Sequence, residues 1–368
     1  MKRATCGAWG TSMAGRVFTA TMVLLALAAP AAAEPLPFMM SALVESRLVE
    51  GQPLSWSAER VLLLGRDGAL YDFAAADAEQ AKRTANRFAP YSNIDMQARL
   101  REEFGPGWDA TATAHFVAVH PTGAWSAWAE RLEGLYGNFV RYMQVRGIRL
   151  KSPPTPLVAV VFRNQSSYFA YARAQGRSLP AGTLGHYDPA TNRIYLYDSG
   201  NGDADSTLGG DTIIHEATHQ AAYNTGVHTR FAEQPRWLVE GLAMMFESPG
   251  VWNPGPSPQR ADRINRYRLS HFRGTAGERS PQWIAGLVAS DRNFTSDVLT
   301  AYAEAWMLSF YLSETQPQQY SDYLRKVAAR PLFAEYPPAD RVRDFAGVFG
   351  SDYAQLAAQV QQFVDRLP

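Results

Sequence analysis

Two short stretches constrain this chain more than any others. DTIIHEATHQAAYNTG carries His215 and His219 four residues apart with Glu216 directly after the first, and QPRWLVEGLAMMFE carries Glu240, 21 residues beyond His219. The first reads as a helix that starts at Asp205 or Ser206 and ends near Asn224 and Gly226. On a helix, side chains at i and i+4 share a face, so both imidazoles reach one point in space. The second stretch reads as a helix with Pro235 at its first turn and with Trp237, Leu238, Leu242, Met245 and Phe246 making it largely buried. An unpaired carboxylate on such a helix is costly. Glu240 therefore needs a partner, and a metal ion shared with His215 and His219 supplies one.

Two neutral imidazoles, one further protein ligand and an open fourth position are what a hydrolytic zinc site requires. Glu216 stands one step round the helix from the ligand face, placed to touch a water at the open position without binding the ion. The ligand set is expected to be His215, His219 and Glu240, with Zn2+ as cofactor and Glu216 as general base.

The remaining composition sets the context. Lys and Arg number 35 and Asp and Glu also number 35, so no field collects nucleic acid. Lys2, Arg3 and Arg16 precede the apolar run VFTATMVLLALAAP, and Ala31, Ala32 and Ala33 follow. Residues 1–33 thus read as a secretory signal peptide, with an uncleaved anchor as the alternative. Its removal takes three of the 35 basic residues and no acidic ones, leaving 32 against 35, a net charge of −3, with no stable membrane insertion expected. The single cysteine, Cys6, lies in that segment, so the mature chain has no disulfide and no thiolate ligand. The expected compartment is the periplasm, cell envelope or medium of a bacterium.

Residues 34–110 read as a small α/β unit. Gly65-Arg66-Asp67-Gly68 forms a hairpin turn in it, and DMQARLREEFG a short helix. From 111 to 368 strands first alternate with helices, and after 205 the pattern is almost wholly helical, giving an α+β class with a sheet lobe and a helical lobe. TATAHFVAVH reads as one strand, PLVAVVF as a buried strand, and GTLGHYDPATNRIYLYD as a hairpin turning at Asp188–Asn192. His115 and His120 lack ligand spacing and are expected to pack or face solvent.

HEATHQAAYN followed by WLVEGLA is similar to the HExxHQxxxN and WLxEGxA motifs of gluzincin metallopeptidases. The segment from about 111 to 315 also resembles an exported bacterial family of uncharacterised proteins with a peptidase-MA-like domain. The resemblance implies a zincin-like fold in which His215, His219 and Glu240 match the zinc ligands and Glu216 the base. Gln220 and Asn224 match flanking positions. It also implies that the edge strand around 183–197 receives a peptide or protein substrate by backbone pairing. A donor to the oxyanion is expected from Tyr302 in LTAYAEAWMLSFYLSE, with His271 in YRLSHFRG as the competitor.

The chain departs from aminopeptidases of that clan in lacking a GxMEN carboxylate on the edge strand, which argues against recognition of a free amino terminus. Met244 stands where some relatives carry an acid that orients a histidine, and Glu247 or Asp211 are the possible substitutes. The expected activity is zinc-dependent, endopeptidase-like hydrolysis. A non-catalytic binding or scaffold protein with the same fold, and a zinc amidase acting on a cell-envelope component, are the alternatives. The oligomeric state does not follow from the sequence.

Overall fold

The computed structural model describes residues 36–124, 127–198, 208–256 and 258–368. The expected signal segment 1–33 and the expected helix start at Asp205 or Ser206 lie outside them.

Among the described residues ten strands form two five-stranded sheets. The first contains β1 (Met39–Val44), β2 (Arg47–Trp56), β3 (Arg60–Gly65), β4 (Leu70–Ala74) and β5 (Glu79–Ala85), in the order β4-β3-β2-β1-β5. All its pairings are antiparallel, with the Gly65–Gly68 turn joining β3 to β4. The second contains β6 (Trp108–Ala112), β7 (Phe116–Pro121), β8 (Leu157–Phe162), β9 (Gly185–Asp188) and β10 (Arg193–Tyr197), in the order β6-β7-β8-β10-β9. Here β7, β8 and β10 run parallel, while β6 and β9 are antiparallel edges.

The parallel strands are apolar on both sides because both faces are covered. Val117, Val119, Val158 and Val160 face α1 (Asn93–Phe104) and α3 (Gln165–Ala174), packing with Met96, Leu100 and Tyr168. Phe116, Ala118, Leu157, Ala159, Ile194 and Leu196 face α2 (Trp128–Val145) and α4 (Leu208–Asn224).

Chain from 236 onward is helical: α5 (Arg236–Phe246), α6 (Pro249–Trp252), α7 (Arg266–Gly274), α8 (Trp283–Ala289), α9 (Asn293–Ser296), α10 (Val298–Thr315), α11 (Pro317–Ala328), α12 (Pro338–Phe349) and α13 (Tyr353–Asp365). The organising element is α10. Residues 303–313 of this helix are all buried, as expected of a helix that is apolar on every side, and α5, α7, α8, α11 and α13 pack around it. The α+β class expected from the residue pattern is thus the one observed.

One element departs from expectation. TATAHFVAVH is a hairpin, not one strand: Thr113 N donates to Phe116 O at 2.9 Å, closing a turn between β6 and β7. Glu133 of α2 holds that turn, accepting from Thr113 Oγ1 at 2.7 Å and His115 N at 2.9 Å and lying 2.6 Å from His115 Nδ1. The alternating pattern continues through the turn, so the residue that bends it is 18 positions away from His115.

The first sheet meets the second at the β9–β10 turn. Leu70 N donates to Ala190 O at 2.7 Å, and Arg230 Nη1 donates at 2.9 Å both to Gly68 O and to Pro189 O.

Candidate metal centre

Helix α4 is bolted to the second sheet by the two residues that flank its histidines. Gln220 Nε2 donates to Val158 O of β8 at 3.0 Å and to Asn192 O at 2.8 Å. Asn224 exchanges amide hydrogen bonds with Asn192, at 2.7 and 2.9 Å. Asn192 sits at φ +60° in the β9–β10 turn, a left-handed conformation that asparagine tolerates better than most residues, and Tyr187 Oη donates to its Oδ1 at 2.8 Å. These buried bonds set the height and rotation of α4 over the sheet.

Helix α5 brings Glu240 to α4 because it can press closely against α10. A Cβ on Gly241 would lie 2.2 Å from Ser309 Oγ and 2.5 Å from Ala305 O. Only glycine permits that approach, and the residue before it is the ligand candidate.

The result is a tight triangle. His215 Nε2 and His219 Nε2 are 3.0 Å apart, and Glu240 Oε2 lies 3.3 Å from the first and 3.7 Å from the second. An ion with tetrahedral bonds of about 2.0–2.1 Å separates its donor atoms by about 3.3 Å, so the triangle has the dimensions of one face of a metal coordination shell. His215 Nδ1 is 2.9 Å from Glu247 Oε1, and Glu247 Oε2 accepts from Asn265 Nδ2 at 2.7 Å. With Nδ1–H donating to Glu247, the Nε2 lone pair of His215 points into the triangle. Two ring nitrogens and a carboxylate oxygen that converge this closely are held together by positive charge among them, whether a shared proton or a metal ion. These three residues could hold a metal ion.

The local field agrees. Burial works against the charge of His215, yet Glu240 and Glu247 hold its imidazole well above the ordinary range. Burial likewise opposes ionisation of Glu240, yet His215 and His219 hold its carboxyl well below the usual range. Positive charge at this point is favoured, whether a proton or a metal supplies it. Burial pushes Glu216 upward, outweighing the opposing pull of His215 and His219, and its Oε2 accepts from Tyr187 N of the edge strand β9 at 2.7 Å. Nearby His228 is pushed down to about 3 by burial and by His219, so it stays neutral.

The triangle is open on two sides. One cavity of about 930 Å³ is lined by Asp211, His215, Glu216, Glu247, Asn265 and Tyr267 among others. A second, of about 430 Å³, lies beyond Glu240 and is lined by Tyr223, Arg230, Gln234, Arg236 and Val239. Of the two acids weighed as support for a histidine, Glu247 contacts His215. Asp211 is exposed at the rim.

Tyr302 and His271, the two candidates for an oxyanion donor, have different surroundings. Tyr302 Oη accepts from Arg236 Nη2 at 3.1 Å, and Arg236 Nε lies 3.6 Å from Glu240 Oε1, so one guanidinium separates the phenol from the Glu240 carboxylate. Burial raises the phenol above its ordinary range; Glu240 adds to this and Arg236 opposes it. His271 Nε2 is 3.3 Å from Thr300 Oγ1, and no hydrogen bond or ion pair links it to the triangle among the described residues. Arg236 escapes the sequence reading because an arginine in a first turn reads as a solvated charge, although its i, i+4 spacing to Glu240 is visible. The other missed group, Tyr187 N, is a backbone atom and leaves no signal in side-chain chemistry.

Residues 210–334 match a family model described as "Protein of unknown function (DUF1570)". The matched segment is similar to that family over about a third of the chain and contains His215, Glu216, His219, Glu240, His271 and Tyr302. No curated protein matches the chain.

Proposed function

We propose that this chain is an exported zinc-dependent hydrolase of the gluzincin, peptidase-MA-like type, acting on peptide bonds. The observation that carries the proposal is the convergence of His215 Nε2, His219 Nε2 and Glu240 Oε2 beside a buried Glu216 that touches an edge strand. Export is read from the basic and apolar pattern of residues 1–33. Among the described residues no helix is long and apolar enough to cross a membrane.

Zinc held by the three ligands would supply Lewis acidity, drawing the pKa of water toward neutrality and polarising a carbonyl. Glu216 takes the proton of the attacking water on its carboxylate and passes it to the leaving amine. Its hydrogen bond from Tyr187 N fixes the carboxylate in place for that exchange. Tyr302 accepts from Arg236, which leaves its own hydroxyl proton free to donate to the developing oxyanion. An extended peptide pairing along the free side of β9 would lie across Glu216.

The test is metal analysis and peptide cleavage by the purified protein beside Glu216→Gln. About one zinc per chain is expected in both, with cleavage lowered by roughly 10²–10⁴-fold in the variant. Full metal content with cleavage unchanged by the substitution sinks the assignment.

A further inference from the structure

The cavity beyond Glu240 holds hydrogen-bonding capacity that the proposed chemistry does not use. Two guanidinium groups, Arg230 and Arg236, line it together with Tyr223, Gln234 and Val239. Its two carboxylates, Glu240 and Asp291, are each shared between Arg236 and partners outside the cavity. Glu240 Oε2 is turned to His215 and His219. Asp291 accepts from the backbone N of Arg236 at 2.9 Å through one oxygen and from Arg341 Nη1 at 2.8 Å through the other.

Arg230 donates to the backbone carbonyls of Gly68 and Pro189 and is also hydrogen-bonded to the Tyr187 side chain, so it is largely spent. The Arg236 side chain is 40% exposed. Nη2 donates to Tyr302, Nε lies 3.6 Å from Glu240 Oε1, and the ring of Phe294 flanks the guanidinium at 4.9 Å from its centroid. That leaves Nη1 without a polar partner among the described residues. The amide of Gln234 adds a further donor and acceptor, buried and also without partners among those residues. An aromatic ring against one face of a guanidinium holds it in place while its edge stays open to a planar anion.

We infer that this cavity is a subsite for a carboxylate carried by the substrate, with Arg236 as the residue that sets the preference. The inference rests on the peptide-hydrolase reading of the neighbouring site. Because Arg236 is one guanidinium away from both Glu240 and Tyr302, the recognised carboxylate lies close to the bond that is cut. It belongs either to an acidic side chain flanking that bond or to a free C-terminus immediately beyond it.

Blocked hexapeptides carrying Glu or Gln at each position in turn, together with acid and amide forms of one C-terminus, separate these sources. Their dissociation constants are measured on the Glu216→Gln protein, and their kcat/KM on the wild type. One carboxylate member is expected to bind about tenfold tighter than its neutral partner, the range of a charge-assisted contact. Arg236→Gln removes that difference and Arg236→Lys retains part of it. A merely structural role for Arg236 lowers both members equally. Equal binding of every pair, or a preference that survives Arg236→Gln, overturns the inference. The two readings fail separately: an Arg236-dependent preference in binding without any cleavage supports the subsite and counts against the hydrolase, whereas cleavage without preference overturns the subsite alone.

Discussion

At the scale of single residues the site is a relay of hydrogen bonds that ends on one nitrogen. Asn265 Nδ2 donates to Glu247, Glu247 faces His215 Nδ1, and the opposite nitrogen of that ring is turned toward His219 and Glu240. Replacing Glu247 by Ala frees the ring to rotate and to exchange its tautomer, which typically weakens a metal site by about 10–100-fold. Competition with a chromophoric chelator measures this directly, and an unchanged affinity removes Glu247 from the relay. Which acid supports His215 was open in the sequence. Glu247 and Asp211 are both within two turns of a candidate ligand, and the choice depends on how α5 ends. It ends at Phe246, leaving Glu247 as the capping residue beside His215. Arg236 was illegible for a related reason: its role depends on what packs above it, and Tyr302 is 66 residues away.

Among the elements, the contact between α5 and α10 decides where the third candidate ligand, Glu240, stands. Gly241 lies against the backbone of Ala305, a neighbour that cannot swing aside. Gly241→Ala is expected to cost about 1–3 kcal/mol through overpacking and to weaken metal binding as Glu240 is pushed from the triangle. Denaturant unfolding of both proteins, each with and without zinc, reads the two effects. A variant as stable as the wild type in both conditions contradicts the close approach. Helices α4, α5 and α10 were legible because apolar periodicity and breakers bound them. The β6–β7 turn was not, because its cause, Glu133, sits on another element.

For the whole molecule the helical lobe buries charge as well as apolar surface. Glu304 of α10 pairs with Arg279 Nε at 3.3 Å, each side chain 7% exposed. Burial raises Glu304 from 4.5 to about 7, with Arg279 opposing. A carboxyl raised on folding binds its proton more tightly in the native state. Its contribution is therefore fully present below about pH 4.5 and is lost as pH rises through about 7. The span amounts to about 3 kcal/mol at most. Glu304→Gln cannot titrate, so its melting temperature relative to wild type should rise between pH 4.5 and pH 7.5. Thermal melts across that range check it, and a constant difference would falsify the role of Glu304.

Read from the chain alone, the residue types and their spacings determine the helix that presents His215, Glu216 and His219, the buried helix that carries Glu240, and the strand–helix alternation that makes an α+β protein. These are local properties, set by side-chain period and by the cost of an unpaired buried charge. Only the tertiary structure decides the 3.0–3.7 Å triangle, the choice of Glu247 as the support for His215, the contact of Tyr187 N with Glu216, and the place of Arg236 between Glu240 and Tyr302. Each of these joins groups on different elements, and their distances follow from how closely those elements pack.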